Sequence, residues 1–481
     1  MPRARIPTTS PRSRLERPGA VRLVSCYELG HQPLAVASAK GFLERAGFHP
    51  VAHDLALEPL EPCAEPAEAP ELFAIAVPMH TALHIGVRAA EAIRRRWPDA
   101  HVCFYGLYAL LNADWLLEHV ADSVIGGEVE GPLVALCRAL ADGRPAEKVE
   151  GVGLAGRPAR AHLARLAFSP PSREGLAPVE RYAHLAWRGV RYPAAAVEAS
   201  RGCLHHCRHC PIPPVYGGRF FVVPREVVLA DAEALARSGV RHLTFADPDF
   251  FNGPGHTMAV VRELHARLPE MTFDVTTKVE NVLRHRDRLA ELADCGCVFL
   301  VSAVESLSDV VLRHLDKGHT RDDVFEALAA VRAAGIEWRP SLVPFTPWAT
   351  IEDYLELLEW IARDRLVDNV DPVQLSIRLL VPPGSLLEAT EAMRIHLRRL
   401  APERFSHEWA HPDPRMDRLH ERVTDVVRAA AASEEPASAT FARIAVAAGD
   451  EAGLAASTVP TRFLPARASA APPRLTEPWF C

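Results

Sequence analysis

The sequence predicts an α/β fold: a doubly wound N-terminal domain, then a partial (β/α)6 barrel, then a small helical C-terminal region. Three patterns lead to this prediction. Short apolar strands alternate with helical stretches over residues 21–150, and six strand–helix steps follow over residues 190–390. Residues 391–453 keep helical apolar spacing without intervening strands. Strands that alternate with helices favour parallel sheets covered by helices.

The composition is that of an ordinary globular protein, with 481 residues of which 48% are hydrophobic and 24% charged. This length is enough for two or three domains with large cores. A net charge of −7 leaves no basic footprint for nucleic acid, and no apolar run is long enough to span a membrane. Neither nucleic acid nor a membrane is therefore expected as a partner. Ten cysteines at irregular spacing favour a reducing cytoplasm over a disulfide framework.

The N-terminal domain follows a leader, residues 1–20, which carries five arginines and no apolar core. Such a leader is expected to be disordered and not secretory. Residues 151–189 are rich in Pro, Arg and Ala with weak periodicity, which predicts an inter-domain linker. In the domain itself, strands are predicted at 21–27, 48–55, 72–79, 100–106 and 122–128, and helices at 32–47, 81–97, 110–119 and 130–142.

The most informative motif is a Cys-x3-Cys-x2-Cys array formed by Cys203, Cys207 and Cys210 directly after an apolar strand. Three thiolates on one loop make an open metal site. A structural zinc site usually has four protein ligands, whereas three cysteines leave one iron of a cubane cluster free for an outside ligand. The alternative is a zinc site completed by a histidine of the same loop, namely His205, His206 or His209.

Polar residues also follow several predicted barrel strands, where barrels of this kind carry their chemistry. Asp247 and Asp249 end the second strand, and Asp249 is alternatively a helix cap. Lys278 and Glu280 end the third, where a facing ion pair would explain them equally well. Glu305 follows the fourth strand directly, where an unpaired carboxylate would be costly to bury. Arg378, in the sixth, is suited to a bidentate carboxylate clamp or to a salt bridge outside the site.

The cysteine spacing, the preceding strand and the Gly217-Gly218-Arg219 turn resemble the signature of the radical S-adenosylmethionine (SAM) superfamily. The segment from Ser302 and Glu305 to Leu315-Asp316-Lys317-Gly318 also resembles this superfamily. The resemblance implies that the three cysteines hold a four-iron four-sulfur cluster whose unique iron chelates SAM. It further implies SAM contacts by Asp247, Ser302 and Glu305.

The N-terminal domain resembles the flavodoxin-like, cobalamin-binding domain that precedes many radical SAM domains, in its element order and in the ending ADSVIGGEVEGP. The Asp-x-His-x-x-Gly loop that supplies an axial imidazole in many cobalamin proteins is absent, because the first loop reads YELGHQ at residues 27–32. Two alternatives stay open: bound cobalamin, or a fold retained for docking a substrate.

The C-terminal region contains a second candidate metal pattern and an unusual tail. His411, Asp413, Asp417 and His420 invite a metal interpretation, but Asp413-Pro414 also marks the start of a helix, and the helix start is favoured. From residue 454 the chain is Ala/Pro-rich, is expected to be flexible, and ends at Cys481.

The opening segment, the barrel motifs and this ending resemble the uncharacterised radical SAM family whose tail reads CUAEP or CCAEP, where U is selenocysteine. We hypothesise that a UGA codon follows Cys481; a natural end is the alternative. A neighbouring thiol–selenol pair would be nucleophilic at neutral pH.

Together these patterns predict a cytoplasmic radical SAM enzyme that cleaves SAM reductively to a 5′-deoxyadenosyl radical. Its partners would be SAM, an unknown small-molecule or peptide substrate, and an electron donor such as flavodoxin or ferredoxin. Methylation, or group transfer to the tail, would be its reaction. The alternative is a non-catalytic cobalamin or Fe–S sensor or scaffold. The candidate residues are Glu305, Asp249 and Cys481 for catalysis, Asp247, Ser302, Glu305 and Arg378 for cofactor binding, and Cys203, Cys207 and Cys210 for the metal.

Overall fold

A computed structural model describes residues 14–59, 69–454 and 471–477. These residues fall into two compact units, which divide between Arg181 and Tyr182. Most of the predicted leader and most of the predicted tail, including Cys481, lie outside the described residues.

The first unit is a parallel sheet with strand order β2-β1-β3-β4-β5, to which β6 adds antiparallel and β7 parallel, both against β5. This is the doubly wound, flavodoxin-like order that the sequence predicted. Its strands are β1 (Val21–Ser25), β2 (Val51–Asp54), β3 (Leu72–Ala76), β4 (His101–Tyr105), β5 (Ser123–Gly127), β6 (Val152–Gly153) and β7 (Ala161–His162). Its helices are α1 (Leu34–Arg45), α2 (His80–Arg96), α3 (Leu107–Leu111), α4 (Ala113–His119) and α5 (Glu130–Ala141).

The core of this unit lies on both faces of the sheet. Every residue of β3, LFAIA, is buried, as expected for a central parallel strand with helices on either side. Helix α2 packs closely there because it carries Gly86, where a Cβ atom would lie 2.9 Å from Cγ1 of Val77. Residues 151–189, where a linker is expected, contribute β6 and β7 to this sheet.

The second unit is built on a half-barrel sheet with strand order β15-β14-β13-β12-β9-β8-β18. The strands from β9 to β15 in this order are parallel, whereas β8 and β18 add antiparallel at one edge. The strands are β8 (His184–Trp187), β9 (Val190–Val197), β10 (Ser200–Gly202), β11 (Phe220–Val222), β12 (His242–Phe245), β13 (Thr272–Thr277), β14 (Cys297–Glu305), β15 (Glu337–Leu342), β16 (Leu397–Ala401), β17 (Ser406–Trp409) and β18 (Arg474–Leu475).

Helices follow the parallel strands and cover the outside of the half barrel. They are α6 (Ile212–Tyr216), α7 (Arg225–Arg237), α8 (Pro254–Arg267), α9 (Val279–Arg284), α10 (Leu289–Asp294), α11 (Asp309–Leu315), α12 (Arg321–Ala333), α13 (Ile351–Arg363), α14 (Glu391–Arg394), α15 (Pro414–Ala432) and α16 (Ala437–Glu451).

The sixth barrel strand is shorter than predicted. Residues Pro372–Ser376 form a 3-10 helix, and only an isolated parallel bridge joins Phe345 to Arg378. The reason is local: the side chain of Gln374 accepts a hydrogen bond from the backbone N–H of Leu342 at 2.9 Å. The side chain of Gln374 thus pairs with the end of β15, where the backbone of a sixth strand would otherwise pair.

The two faces of the half barrel differ in chemistry. The inner face carries polar side chains, since Nε2 of His242 lies 2.8 Å from Oδ1 of Asp274 and the hydroxyl of Thr244 donates to the same oxygen at 2.7 Å. Residues of neighbouring parallel strands that lie in register share a face, so Phe299 and Val301 of β14 also face inward. Leu300 consequently faces the helices.

The C-terminal region contains a feature that the sequence did not predict, an antiparallel pair formed by β16 and β17 before the two long helices α15 and α16. In the described part of the chain, no helix is long and apolar enough to cross a membrane.

Candidate active site

The cysteine loop lies between β10 and α6, at the carboxyl end of β9. It is anchored at its base, because β10 pairs with β11 and the backbone N–H of Cys203 donates to the carbonyl of Arg219 at 3.1 Å. Gly202 makes this possible: its φ is 74°, and a Cβ atom there would lie 2.4 Å from the carbonyl oxygen of Arg219. The sequence therefore builds a tight hairpin that leads into the three cysteines.

The three thiols of the loop are unpaired and shielded. None of the eight cysteines in the described residues forms a disulfide, and Cys203 and Cys207 are buried whereas Cys210 is half-buried. Burial raises the pKa of Cys210 to about 12, although Lys317 acts to lower it. Burial also raises the pKa of Cys203. Such thiols become good ligands only when a positive charge or a metal stabilises the thiolate.

The histidines of this loop contact other residues. Nε2 of His205 lies 3.3 Å from Oδ2 of Asp249, and Nε2 of His209 lies 3.3 Å from Oε1 of Glu305. His206 packs against Gly218, where a Cβ atom would lie 2.6 Å from its Nε2. Among residues 14–59, 69–454 and 471–477, no three His, Cys, Asp or Glu side chains are grouped so as to hold a metal ion.

Two buried nitrogens beside the loop have no hydrogen-bond partner among the described residues, namely Nδ1 of His209 and Nδ2 of Asn252. Oδ1 of the same Asn252 lies 3.8 Å from the sulfur of Cys203 and accepts from the backbone N–H of Leu204 at 3.3 Å. Unpaired buried polar groups are rare and call for a ligand. The residues around the loop therefore fit a group that accepts hydrogen bonds near the cysteines.

Asp249 is fully buried and bonded on both oxygens. Oδ1 accepts from the backbone N–H of Phe251 at 3.1 Å and from the hydroxyl of Thr277 at 2.6 Å, and Oδ2 accepts from Nδ2 of Asn281 at 2.8 Å. These contacts agree with the helix-cap interpretation, since Asp249 caps a short 3-10 helix. Through His205 it also ties the end of β12 to the cysteine loop.

Asp247 is buried beneath the same loop. Its Oδ2 accepts from the backbone N–H of Ala199 at 2.9 Å, and its Oδ1 accepts from the hydroxyl of Ser200 at 2.5 Å. Burial raises the pKa of Asp247 to about 7, against the effect of these two hydrogen bonds. In this structure Asp247 orients the entry into β10, and contact with SAM stays a prediction.

Glu305 ends β14 in a left-handed conformation with φ of 64°, just after a break in register with β15. This conformation is uncommon for a residue other than glycine and is often found at functional sites. Its Oε1 accepts from Nζ of Lys317 at 3.0 Å, and both side chains are buried. Burial alone would raise the pKa of Glu305, but Lys317 and His209 hold it well below its usual range.

Lys278 and Glu280 form an ion pair, which is one of the two interpretations that the sequence allowed. Nζ of Lys278 lies 3.3 Å from Oε2 of Glu280 and 3.2 Å from Nδ1 of His205. This pair packs against Gly318, where a Cβ atom would lie 2.7 Å from Oε2 of Glu280. The pair thus supports both the cysteine loop and the turn that follows α11.

For Ser302 and Arg378, contact with a cofactor stays a prediction. Ser302 pairs in register with Thr277, so the two share a face of the sheet, and the hydroxyl of Thr277 donates to Asp249 beside the cysteine loop. Arg378 donates to Oδ1 of Asp417 at 2.8 Å and stacks on Trp409, 3.6 Å from the ring centre. Arg378 does clamp a carboxylate, but the carboxylate belongs to the C-terminal region of the same chain.

The candidate metal pattern in the C-terminal region is a helix start. Asp413 accepts from the backbone N–H of Arg415 at 2.9 Å at the beginning of α15. Nε2 of His411 lies 2.8 Å from the carbonyl oxygen of Ala349. Asp417 accepts a hydrogen bond from Arg378. The contacts of His411, Asp413 and Asp417 are therefore those of a helix cap and of a packed helix.

Sequence reasoning missed two residues at the site. Lys317 was noted only as part of a helix end, and His209 only as a possible zinc ligand, yet both lie against Glu305. The signal available was composition: a lysine and a glutamate twelve positions apart on either side of one helix. Spacing alone does not reveal that the helix folds back and brings them together.

The first unit has the topological switch point that is typical of its strand order. In this strand order the topological switch lies between β1 and β3, where ligands bind in open α/β sheets. Helix α2 begins there at His80, whose ring centre lies 4.7 Å from that of His84 and 5.8 Å from that of Tyr108. The loop after β1 is held by Glu28, which accepts from the backbone N–H of Leu34 at 2.8 Å.

Comparison with known proteins places the cysteine loop in a recognised domain. Residues 197–361 match the model of the Radical SAM superfamily. Ribosomal protein uS12 methylthiotransferase RimO of Salinispora tropica is 28% identical over 189 residues, which is 36% of this chain and 36% of that protein. Hopanoid C-3 methylase of Methylococcus capsulatus is 25% identical over 264 residues, 54% of this chain and 50% of that protein. The chain thus spans about a third to a half of the length of these curated relatives.

Two solved structures share the fold over most of the chain. The radical SAM methyltransferase TsrM of Kitasatospora setae, solved with tryptophan substrate and a SAM analogue, has a TM-score of 0.61 at 18% identity and covers 80% of this chain and 82% of its own. The cobalamin-dependent enzyme OxsB, solved with aqua-cobalamin, has a TM-score of 0.64 at 15% identity and covers 85% of this chain and 67% of its own. The half barrel, the cysteine loop at its carboxyl edge and the family match agree, so residues 197–361 are similar to the domain of the Radical SAM superfamily.

Proposed function

We propose that the protein is a radical SAM enzyme in which Cys203, Cys207 and Cys210 bind the cluster. The observation that carries the proposal is the cysteine loop itself, which lies at the carboxyl end of β9 inside the matched domain and has unpaired buried donors beside it. A single zinc ion is the weaker alternative, because the histidines of the loop contact Asp249, Glu305 and Gly218. A cubane suits three cysteines better, since it takes one sulfur on each of three irons.

The bound cluster and SAM would supply a one-electron reductive cleavage that yields methionine and a 5′-deoxyadenosyl radical. The residues of the chain prepare the site for this chemistry. Glu305 is the candidate for contact with SAM, because it stays ionised and its strained backbone aims the carboxylate toward the loop. Asp247 and Asp249 hold the loop in position through the contacts described above. The inner face of the half barrel offers hydroxyl groups such as that of Thr244 to a substrate.

We further propose methylation of a small molecule with cobalamin bound to the first unit. Two observations support this: the doubly wound order with an aromatic and imidazole cluster at its switch point, and the likeness in fold to TsrM and OxsB. His80, His84 and Tyr108 would lie beside the corrin ring. The same proposal includes a role for Cys481 as acceptor of a transferred group. It also includes membership of the CUAEP/CCAEP-tail family. Cys481 lies outside the described part of the chain.

The first test is anaerobic turnover. Protein reconstituted with iron, sulfide and hydroxocobalamin is incubated with SAM and dithionite, and 5′-deoxyadenosine, S-adenosylhomocysteine and bound cobalamin are measured. We expect SAM-derived products from the wild type and none from the Cys203→Ala, Cys207→Ala, Cys210→Ala variant, which should also lose the absorbance of the cluster. Cys481→Ser tests the tail separately, because it leaves the cluster in place. A protein that binds cofactors but never consumes SAM is a sensor or scaffold, and that result rejects the enzyme.

A further inference from the structure

The segment that ends α11 is fastened directly to the cysteine loop. The backbone N–H of Arg208 donates to the carbonyl of Leu315 at 2.9 Å, and its guanidinium lies 3.7 Å from Oδ2 of Asp316. Asp316 then takes a left-handed conformation with φ of 56°, as does Gly318 with φ of 73°. This turn reverses the chain and directs the residue between them, Lys317, back into the protein.

Lys317 is almost completely buried, with 2% of its side chain exposed. A buried ammonium needs a compensating negative charge, because burying a lone charge is very costly. Glu305 supplies one partner at 3.0 Å. Burial alone would lower the pKa of Lys317, but Glu305 raises it. Lys317 also follows the residues that are fastened to the cysteine loop through Arg208, and its partner Glu305 contacts His209 of the same loop.

We propose that Lys317 is the counter-charge of the cysteine loop and raises the reduction potential of the cluster that the loop holds. The inference rests on the proposed function, because it assumes that the three cysteines bind a cluster. Reduction adds one electron and one negative charge to the cluster, so a nearby fixed positive charge favours the reduced form. Glu305 and His209 act as positioning residues, since Oε1 of Glu305 holds the ammonium of Lys317 and Nε2 of His209 contacts the same oxygen.

The test is a redox titration of the reconstituted holoenzyme. Dithionite is the one-electron reductant, SAM is absent, and the EPR signal of the reduced cluster is followed. For Lys317→Met we expect a more negative midpoint, with the ratio of reduced to oxidised cluster at a fixed potential about tenfold lower, equivalent to about 59 mV for one electron. Lys317→Arg keeps the charge and should stay within threefold of the wild type.

The matched control is Lys40→Met. Lys40 is also a buried lysine with an acidic partner, but it belongs to the first unit and pairs with Glu44. The midpoint potential of the cluster in this control variant should stay near that of the wild type. An unchanged midpoint in Lys317→Met with full iron and sulfide, or an equal shift in both variants, overturns the inference. Wild-type protein that assembles no cluster overturns the proposed function instead.

A second pair of variants covers misfolding of Lys317→Met, in which the buried Glu305 would lose its lysine partner. Glu305→Gln removes the carboxylate charge, and Glu305→Gln with Lys317→Met removes both charges. The double variant should have the more negative midpoint of the two if the ammonium acts on the cluster. Equal midpoints in the two variants would reject that action.

Discussion

At the scale of single residues, the site depends on buried carboxylates whose environments differ. Asp247 has a pKa raised to about 7 by burial, whereas Lys317 and His209 hold the pKa of Glu305 well below its usual range. The carboxyl group of Glu305 therefore favours its ionised form. Asp247 changes its protonation near neutrality, and its contacts are with the entry to the cysteine loop. The pKa values of the two carboxyl groups are thus shifted in opposite directions.

A pH prediction follows for Asp247. Its pKa in the folded state is about 7, above the unfolded value near 3.8, so the folded state retains the proton longer. Its contribution to stability is full below pH 4 and is lost as the pH rises through 7. Asp247→Asn removes this dependence, so the variant should lose less stability than the wild type between pH 5 and pH 8. Thermal unfolding of the two apo-proteins at pH 5 and at pH 8 measures this difference. Equal losses of stability in the wild type and the variant would contradict the raised pKa of Asp247.

Asp249 should matter more for folding than an exposed aspartate. Asp249→Ala leaves the donors of Phe251, Thr277 and Asn281 without their acceptor, and each buried unpaired donor costs about 1–3 kcal/mol. We expect a fall in the thermal midpoint of several degrees. Asp425→Ala is the control, because the side chain of Asp425 is 78% exposed and its ion pair with Arg428 contributes little. Equal effects of the two substitutions would show that the Asp249 contacts contribute no stability.

At the scale of elements, the β10–β11 hairpin determines where the cysteines lie. The hairpin is short, and its geometry depends on Gly202, whose left-handed backbone lets the Arg219 carbonyl approach closely. The turn after α11 acts from the other side through Arg208 and Leu315. The loop is thus held between two elements that are far apart in sequence.

The glycine at the base of the hairpin gives an element-scale prediction. Gly202→Ala should lower the iron content of the reconstituted protein and its thermal midpoint, because the new Cβ would clash with the Arg219 carbonyl. Left-handed backbone alone costs a residue other than glycine roughly 1–2 kcal/mol. Gly189→Ala isolates that cost, since Gly189 has a φ of 77° and no atom within 4 Å of its Cβ position. If the two variants lose the same iron, the close contact at Gly202 is irrelevant to the site.

At the scale of the whole molecule, the chain has two compact units with separate sheets and separate cores. A unit with its own core is expected to unfold as its own cooperative transition. The first unit carries the switch-point cluster at His80, and the second carries the cysteine loop. Each candidate cofactor should therefore stabilise the unit that binds it.

Calorimetry should resolve two transitions in the apo-protein. Leu133→Ala in the first unit and Leu300→Ala in the second each remove a fully buried side chain, at a cost of about 2–5 kcal/mol. We expect each substitution to lower one transition only. A single transition that both substitutions lower equally would show that the two units unfold together.

The sequence alone determined the fold class and the cysteine motif. Alternating strands and helices predict parallel sheets, and the Cys-x3-Cys-x2-Cys spacing is local, so neither depends on distant contacts. The helix cap at Asp413 was foreseeable for the same reason.

Only the tertiary structure decided which polar residues share the site. Arg378 donates to the carboxylate of Asp417, and a left-handed turn buries Lys317 against Glu305. The register of a strand and the path of a turn are set by packing against residues far away in the chain. The local sequence pattern therefore does not predict these contacts.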